Sequence, residues 1–413
     1  MKKDFDMMMS WWNSLSISRV FKVVMGLKYR LQVVAVGFVL ITGFILYLSL
    51  GPPSKRLIES SEECQIPAVY NFGDSNSDTG CVSAAFGRVP YPNGISFFGK
   101  PSGRYCDGRL IIDFIVEKLG VPYLSAYLDA LQANFQHGAD FAASGTTIQH
   151  VDGKLYGSGL NPLSLDVQLL QFEELKERTS ELYEQDNPKG RLPSPEDFSN
   201  ALYAFDIGQN DIHHALSTMT EDEACKSIPV LITQFASAIK KLYDQGARTF
   251  WIHNTGPIGC LPYLLAKHPP KPENVDEAGC VKSYNEVAKE FNRQLKDRIS
   301  ELRTQLHDSL LVYVDIYSLK FSLISESEKY GFINPLGYCC KHAGNPRLHC
   351  WNKETVNGTA VYAAPCENPS KYISWDSIHY TEAANRWVAN RIFDGSYSDP
   401  PTSLTRLCTK SSL

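Results

Sequence analysis

Five short, unbroken apolar runs, each followed by a longer stretch of mixed polarity, constrain this chain more than any other feature. They are "IPAVYNF" (66–72), "GADFAAS" (138–144), "ALYAFDIG" (201–208), "RTFWIHN" (248–254) and "LLVYVDI" (310–316). A run without polar alternation has two faces to bury, the pattern of a parallel strand covered by helices on both sides. The stretches between them carry helical patterns. "SIPVLITQFASAIKKLYDQG" (227–246) stops at Gly246, a helix-ending residue, and "YNEVAKEFNRQLKDRISELRTQL" (284–306) is of the same kind. Strand–helix alternation of this sort predicts an α/β fold, a doubly wound parallel sheet in one domain. With 413 residues, 43% of them hydrophobic, the chain can fill the core such a sheet needs. Segments 256–283 and 329–375 break the rhythm and are rich in Pro, Gly and Cys, which predicts surface loops pinned by disulfides at the rim of a site.

Upstream lies "LQVVAVGFVLITGFILYLSL" (31–50), 20 residues without a charge. A helix that crosses a bilayer needs about 20. Lys2, Lys3, Arg19, Lys22, Lys28 and Arg30 precede it, and the next basic residues are Lys55 and Arg56. The positive-inside rule then gives a cytosolic tail (1–30), a transmembrane signal anchor (31–50), a stem (51–65), a lumenal domain (66–400) and a C-terminal tail (401–413). The alternative is a cleaved signal peptide and a secreted chain. The long N-terminal tail and an apolar run exceeding the ~7–15 residues of a signal core favour the anchor. All 11 cysteines, from Cys64 to Cys408, follow the apolar segment, as suits an oxidising lumen. None forms a C-x-x-C pair, so zinc and thioredoxin-like roles lack support. Their odd number leaves a thiol free or bonded to another chain, and the pairing stays open. Asn357-Gly358-Thr359 is the one glycosylation sequon, on the lumenal side of this topology. A net charge of −5 with no basic stripe excludes a nucleic-acid backbone as partner.

Ligands of doubly wound sheets bind beyond the carboxyl ends of the strands. Four clusters fall there. Ser75 follows the first run in "NFGDSNSDTG", Gly145 the second in "FAASGTT", and Gly208 to Asp211 the third in "GQND"; Asp376 and His379, in "DSIH", precede the helical pattern "TEAANRWVANRIF". Singly, each has a structural explanation: a turn and helix cap, a strand-end glycine, an Asx turn, a surface pair on one helical turn. Together they supply every role in acyl transfer. Ser75 is the candidate nucleophile, His379 its base, and Asp376 the group that orients the imidazole from the same turn. The backbone N–H groups of Ser75 and Gly145 and the side-chain amide of Asn210 are candidate oxyanion donors, each worth about 10²–10³ in rate.

These blocks resemble the GDSL esterase/lipase branch of the SGNH hydrolase family, in particular its plant members and their early-nodulin-like, fucosidase-labelled subgroup. "SGRYCDGRLIIDFI" (102–115) and "NTGPIGCLP" (254–262) resemble further stretches of that family, and the similarity runs from about residue 65 to about 395. The resemblance implies a flavodoxin-like three-layer fold and a Ser-His-Asp mechanism with neither metal nor cofactor. Two departures are expected to reshape the pocket rim. "KHAGNPRLHC" follows Cys339-Cys340 in place of a glycine-rich stretch, and Tyr380 stands after His379 where many members have proline. Relatives act on esters from acylglycerols to acetylated glycans. The Golgi-like type II topology, with Tyr330, Tyr338, Trp351, Tyr362, Tyr372 and Trp375 in the second irregular segment, points to an O-acetylesterase on cell-wall polysaccharide, xylan first, in the Golgi lumen. The rival readings are a lipase or general carboxylesterase, and a catalytically silent glycan-binding protein, which would not need a full catalytic set. A glycosidase ranks last because its chemistry needs paired carboxylates.

Overall fold

The computed structural model describes residues 66–150, 161–185, 190–341, 350 and 353–407, together with positions 26, 41 and 42. The expected tail, anchor and stem (1–65) lie outside that set except for those three positions. Among the described residues no helix is long and apolar enough to cross a membrane.

Every one of the five apolar runs contains a strand: β1 (Val69–Gly73), β2 (Gly138–Asp140), β3 (Leu202–Asp206), β4 (Thr249–His253) and β5 (Leu310–Val314). The longer helices around them are α1 (Ile111–Lys118), α2 (Leu165–Glu184), α3 (Gln209–Thr218), α4 (Glu221–Asp244), α5 (Lys282–Gln305), α6 (Ile316–Ser325) and α7 (Glu382–Ile392). Strands β6 (Lys353–Val356) and β7 (Thr359–Tyr362) form a separate hairpin, and β8 (Ser398–Asp399) is a short late strand. The main sheet runs β2-β1-β3-β4-β5-β8, parallel except for β8, which pairs antiparallel with β5. The 2-1-3-4-5 order is that of flavodoxin-like sheets.

Side chains explain why the runs had to be apolar throughout. Tyr70, Phe72, Tyr203, Phe205, Phe250, Ile252, Leu311 and Tyr313 pack on one face, against α2, α4 and α5. Their neighbours Val69, Leu202, Ala204, Trp251, Val312 and Val314 pack on the other, against α1, α6 and α7. Alternate residues of a strand point to opposite faces, so a sheet buried on both sides needs both registers apolar. On the first face Phe72 stacks between Phe141 and Phe205, with ring centroids 5.2 and 5.1 Å away.

Local differences from expectation have identifiable causes. β2 stops at Asp140 and not at 144, although Phe141 N still donates to Asn71 O (2.8 Å) and Ala143 N to Gly73 O (3.1 Å). Helix α4 starts earlier than 227 because Thr220 and Glu223 form a reciprocal capping box. Asn357 and Gly358, with φ of 50° and 77°, make the two-residue turn of the β6–β7 hairpin inside what reads as an irregular loop. An Asn-Gly turn of this kind needs positive φ at both positions. Asn357 is exposed there. Disulfides Cys260–Cys280, Cys339–Cys366 and Cys340–Cys350 pin both irregular segments as expected. Cys81, Cys106 and Cys225 are free thiols.

Candidate active site

Ser75 sits two residues beyond the end of β1, and the backbone that carries it is tightly held. Gly73 N donates to Gln168 Oε1 (3.0 Å), and Gln168 Nε2 donates back to Gly73 O (2.8 Å). A Cβ at position 73 would lie 2.4 Å from Asp206 O and 2.6 Å from Ser77 Oγ, so only glycine fits between the strand ends. Past the turn, Asp78 accepts from the backbone N–H groups of Gly80, Cys81 and Ser144, which ties the serine loop to the segment after β2. Asp140 accepts from Asn71 Nδ2 and Thr79 N, each at 2.6 Å.

The segment after β2 places Gly145 at φ 82°, a left-handed conformation suited to glycine. Asn210, in the first turn of α3, donates from Nδ2 to Thr146 O at 2.8 Å. That bond fixes its amide beside Gly145. Asp211 holds the next residues by accepting from Ile148 N (2.9 Å) and Gln149 N (3.2 Å). Among the described residues, the backbone N–H groups of Ser75 and Gly145 donate to no protein acceptor. Both residues are buried. Buried donors left unpaired are rare, and an acyl-transfer site is one place where they are useful.

Asp376 and His379 come together, but in a loop and not on a helical turn. Asp376 Oδ1 accepts from His379 N (2.7 Å) and Ile378 N (3.0 Å), and its Oδ2 lies 2.6 Å from His379 Nδ1. Ser377, at φ 83°, makes the reversal between them. Asp376 is fully buried and His379 is 6% exposed, which removes the surface-pair explanation. The Tyr105 ring lies 5.3 Å from the imidazole. The segment around Tyr105 braces this loop, since Trp375 Nε1 donates to Asn93 Oδ1 (2.9 Å) and Glu382 N to Asp107 Oδ1 (2.7 Å). From the other side, Tyr263 N donates to Ser377 O (3.0 Å). Ser75 Oγ itself makes no hydrogen bond to a described residue.

Residues 69–392 match the GDSL-like Lipase/Acylhydrolase family. The chain belongs to that family. It is 50% identical over 369 residues to a GDSL esterase/lipase of Arabidopsis thaliana, a match covering 89% of this chain and 97% of that one. It is 46% identical over 361 residues to an esterase of Hevea brasiliensis (86% and 92% covered) and 46% identical over 342 residues to Alpha-L-fucosidase 3 of Arabidopsis thaliana (81% and 92%). The chain is a carboxylic ester hydrolase.

Two expectations about the rim of this esterase site change. Tyr380 is buried, with the Lys320 ammonium 4.2 Å from its ring centroid, and is no rim residue. Of the expected rim aromatics, Trp375 is fully buried and Tyr330 packs on Trp387 at 4.6 Å. Tyr338 and Tyr372 are half-buried, while Trp351 and the Tyr362 side chain lie outside the described residues. Gln168, Asp140 and Tyr105 support the site without having drawn notice as single residues; only the "SGRYCDGR" block signalled Tyr105. Asp78, Cys81 and Asp140 come close enough together to share an ion, but backbone and amide N–H groups already occupy both carboxylates.

Burial pushes Asp140 up to about 8 and Asp78 up to about 6. For a carboxyl whose folded pKa is raised, the folded state binds the extra proton, so its contribution to stability is present at low pH and fades as pH climbs from the ordinary value of about 4 toward the folded one. Asp140→Asn, which cannot ionise, should therefore cost more stability at pH 5 than at pH 8. Denaturant midpoints of parent and variant at the two pH values check this, and an equal cost at both rejects it.

Proposed function

We propose that this enzyme is a serine esterase of the Ser-His-Asp type. Ser75 Oγ attacks the ester carbonyl carbon and passes its proton to His379 Nε2, while the carbonyl electron pair moves onto oxygen. Collapse of that intermediate breaks the bond to the alcohol, which leaves with the proton from Nε2. Water then repeats the sequence on the acyl-enzyme and returns the free acid and Ser75. Asp376 holds the tautomer in which Nε2 is the proton acceptor, and stabilises the imidazolium as it forms. Ser75 N–H, Gly145 N–H and the Asn210 amide receive the oxyanion. The observation that carries this reading is the buried Asp376–His379 pair at 2.6 Å.

Ser75→Ala and His379→Ala should each lower kcat by several orders of magnitude with the fold intact by circular dichroism, because such residues act as a unit. Asn210→Ala, which removes one oxyanion donor, should lose about 10²–10³. Near-normal turnover by Ser75→Ala would sink the mechanism.

The favoured substrate is an O-acetylated cell-wall polysaccharide of the xylan type, met in the Golgi lumen by a domain anchored through residues 31–50. The expected topology supports this, as does the half-buried Tyr372 in the segment that carries Asp376 and His379. Acetylated xylan should release acetate with higher kcat/KM than small aryl acetates, because polymer contacts made in the transition state raise the rate. Aryl esters of acetyl, butyryl and octanoyl chains, assayed beside xylan, discriminate the rival. Preference for octanoate with xylan untouched establishes a lipase.

The anchored topology keeps the N-terminus on the mature chain and puts a glycan on Asn357, at the exposed hairpin turn. N-terminal sequencing and a mass shift on N-glycosidase treatment check both. A mature chain beginning near residue 52 overturns the anchor.

A further inference from the structure

The segment 103–109 touches both the loop of Ser75 and the loop of His379. A Cβ at Gly103, where φ is 84°, would lie 2.8 Å from Gly80 Cα and 3.2 Å from Thr79 O. The backbone therefore passes directly against the serine loop, at a place that only glycine allows. Arg104 is buried and donates from Nη1 to Thr79 O (3.3 Å) and Ser102 O (3.1 Å). Its Nε and Nη2 donate to Asp113 Oδ2 (2.7 Å) and Oδ1 (2.6 Å) on α1. A paired fork of this kind fixes direction as well as distance.

Tyr105 comes next, and it is buried. It belongs to one apolar cluster with Cys81 and Val82, which follow the serine loop, and Ala143, which stands just ahead of Gly145. Its ring lies against the imidazole of His379, with centroids 5.3 Å apart and planes inclined by 35°. That separation is within the range of aromatic contact. Further along, Asp107 Oδ1 accepts from Glu382 N (2.7 Å), and Arg109 donates from Nε (3.0 Å) and Nη2 (2.7 Å) to Glu382 Oε1. Glu382 opens α7, directly after the histidine loop. The segment is thus fastened to the serine loop on one side of Tyr105 and to the start of α7 on the other.

A base must bring its nitrogen within about 2.6–3.2 Å of the proton it takes. Asp376 holds His379 at Nδ1, but the terminal torsion of a histidine is broad, so that bond alone does not set the plane of the ring. We propose that Tyr105 is a positioning residue for His379. Its ring sets the plane of the imidazole so that Nε2 is directed at Ser75 Oγ, and Arg104 ties that ring to the serine loop. The inference rests on the reading of Ser75 as nucleophile and His379 as base. Tyr105 acts here by shape: a flat side chain held in one place limits how the neighbouring ring can rock. Because the same segment grips the serine loop, the base is aligned against the nucleophile it serves.

The test is steady-state hydrolysis of 4-nitrophenyl acetate by the intact protein and its Tyr105 variants. Tyr105→Leu keeps an apolar side chain in the cluster but removes the flat ring, and it should lower kcat by about 10²-fold, the cost of a small misplacement of a reacting group. KM should stay close to the parent's, because acylation and deacylation both pass through His379 and slow together. Tyr105→Phe, which keeps the ring, should restore kcat to near the parent's value. An undiminished kcat in Tyr105→Leu overturns the proposal, as does a loss that appears mainly in KM or one that Tyr105→Phe fails to rescue. Should thermal melts show Tyr105→Leu unfolded, Tyr105→Met replaces it and the same outcomes decide. The Ser75→Ala control separates the two readings: if it stays active the nucleophile assignment fails, whereas a dead control beside a fully active Tyr105→Leu refutes only the role of Tyr105.

Discussion

The site depends on how β1 ends. A strand buried on both faces must pass into a polar turn without leaving backbone groups unpaired, and Gln168 resolves this by bonding both the N–H and the C=O of Gly73. The amide comes from α2, 95 residues away in the chain, so the turn is held by tertiary structure and not by its own sequence. With Gly73 fixed against Asp206, the serine loop, the Gly145 segment and the start of α3 come off adjacent strands in a set arrangement. Preorganised donors of this kind need no rearrangement when charge develops on the substrate.

Around that junction the chain buries many carboxylates. Asp78, Asp140 and Asp211 each accept from several N–H groups, which is how a protein tolerates acidic groups out of water. Their work is architectural: they join loops that leave different strands. Asp376 does the same for its own loop while engaging His379, so one carboxylate both shapes the backbone and holds the imidazole. The ester chemistry proposed for Ser75 thus rests on a scaffold made of the same residue type that orients its histidine.

Much of this was legible in the residues. The five strands were readable because burial on both faces demands apolar residues in both registers, a signal carried within each run. Ser75, Gly145, Asn210, Asp376 and His379 stand out as candidates because each follows a strand or precedes a helix in a motif of unusual composition. The remainder was hidden for physical reasons. Asp-x-x-His spacing fits a helical turn and an Asx-type loop equally well, and only the backbone reversal at Ser377 separates them. Tyr380 turns inward and meets the buried Lys320, a contact across 60 residues. Gln168 gives no local sign of its role. The Asn357-Gly358 pair did carry a hairpin signal, masked by the irregular composition on either side.

The two halves of the site are secured by different bonds. The serine, glycine and asparagine half hangs from the parallel sheet and its hydrogen-bonded strand ends. The histidine half hangs from a segment stapled at Cys339–Cys366 and Cys340–Cys350. Cys339 N donates to Ser374 O (3.0 Å) and Cys340 N to Trp375 O (2.6 Å), directly ahead of Asp376. A chain folded where thiols stay reduced would therefore hold Ser75 in place while the support for His379 slackened. The loop of Asp376 and His379 thus depends on a covalent support that the loop of Ser75 does without.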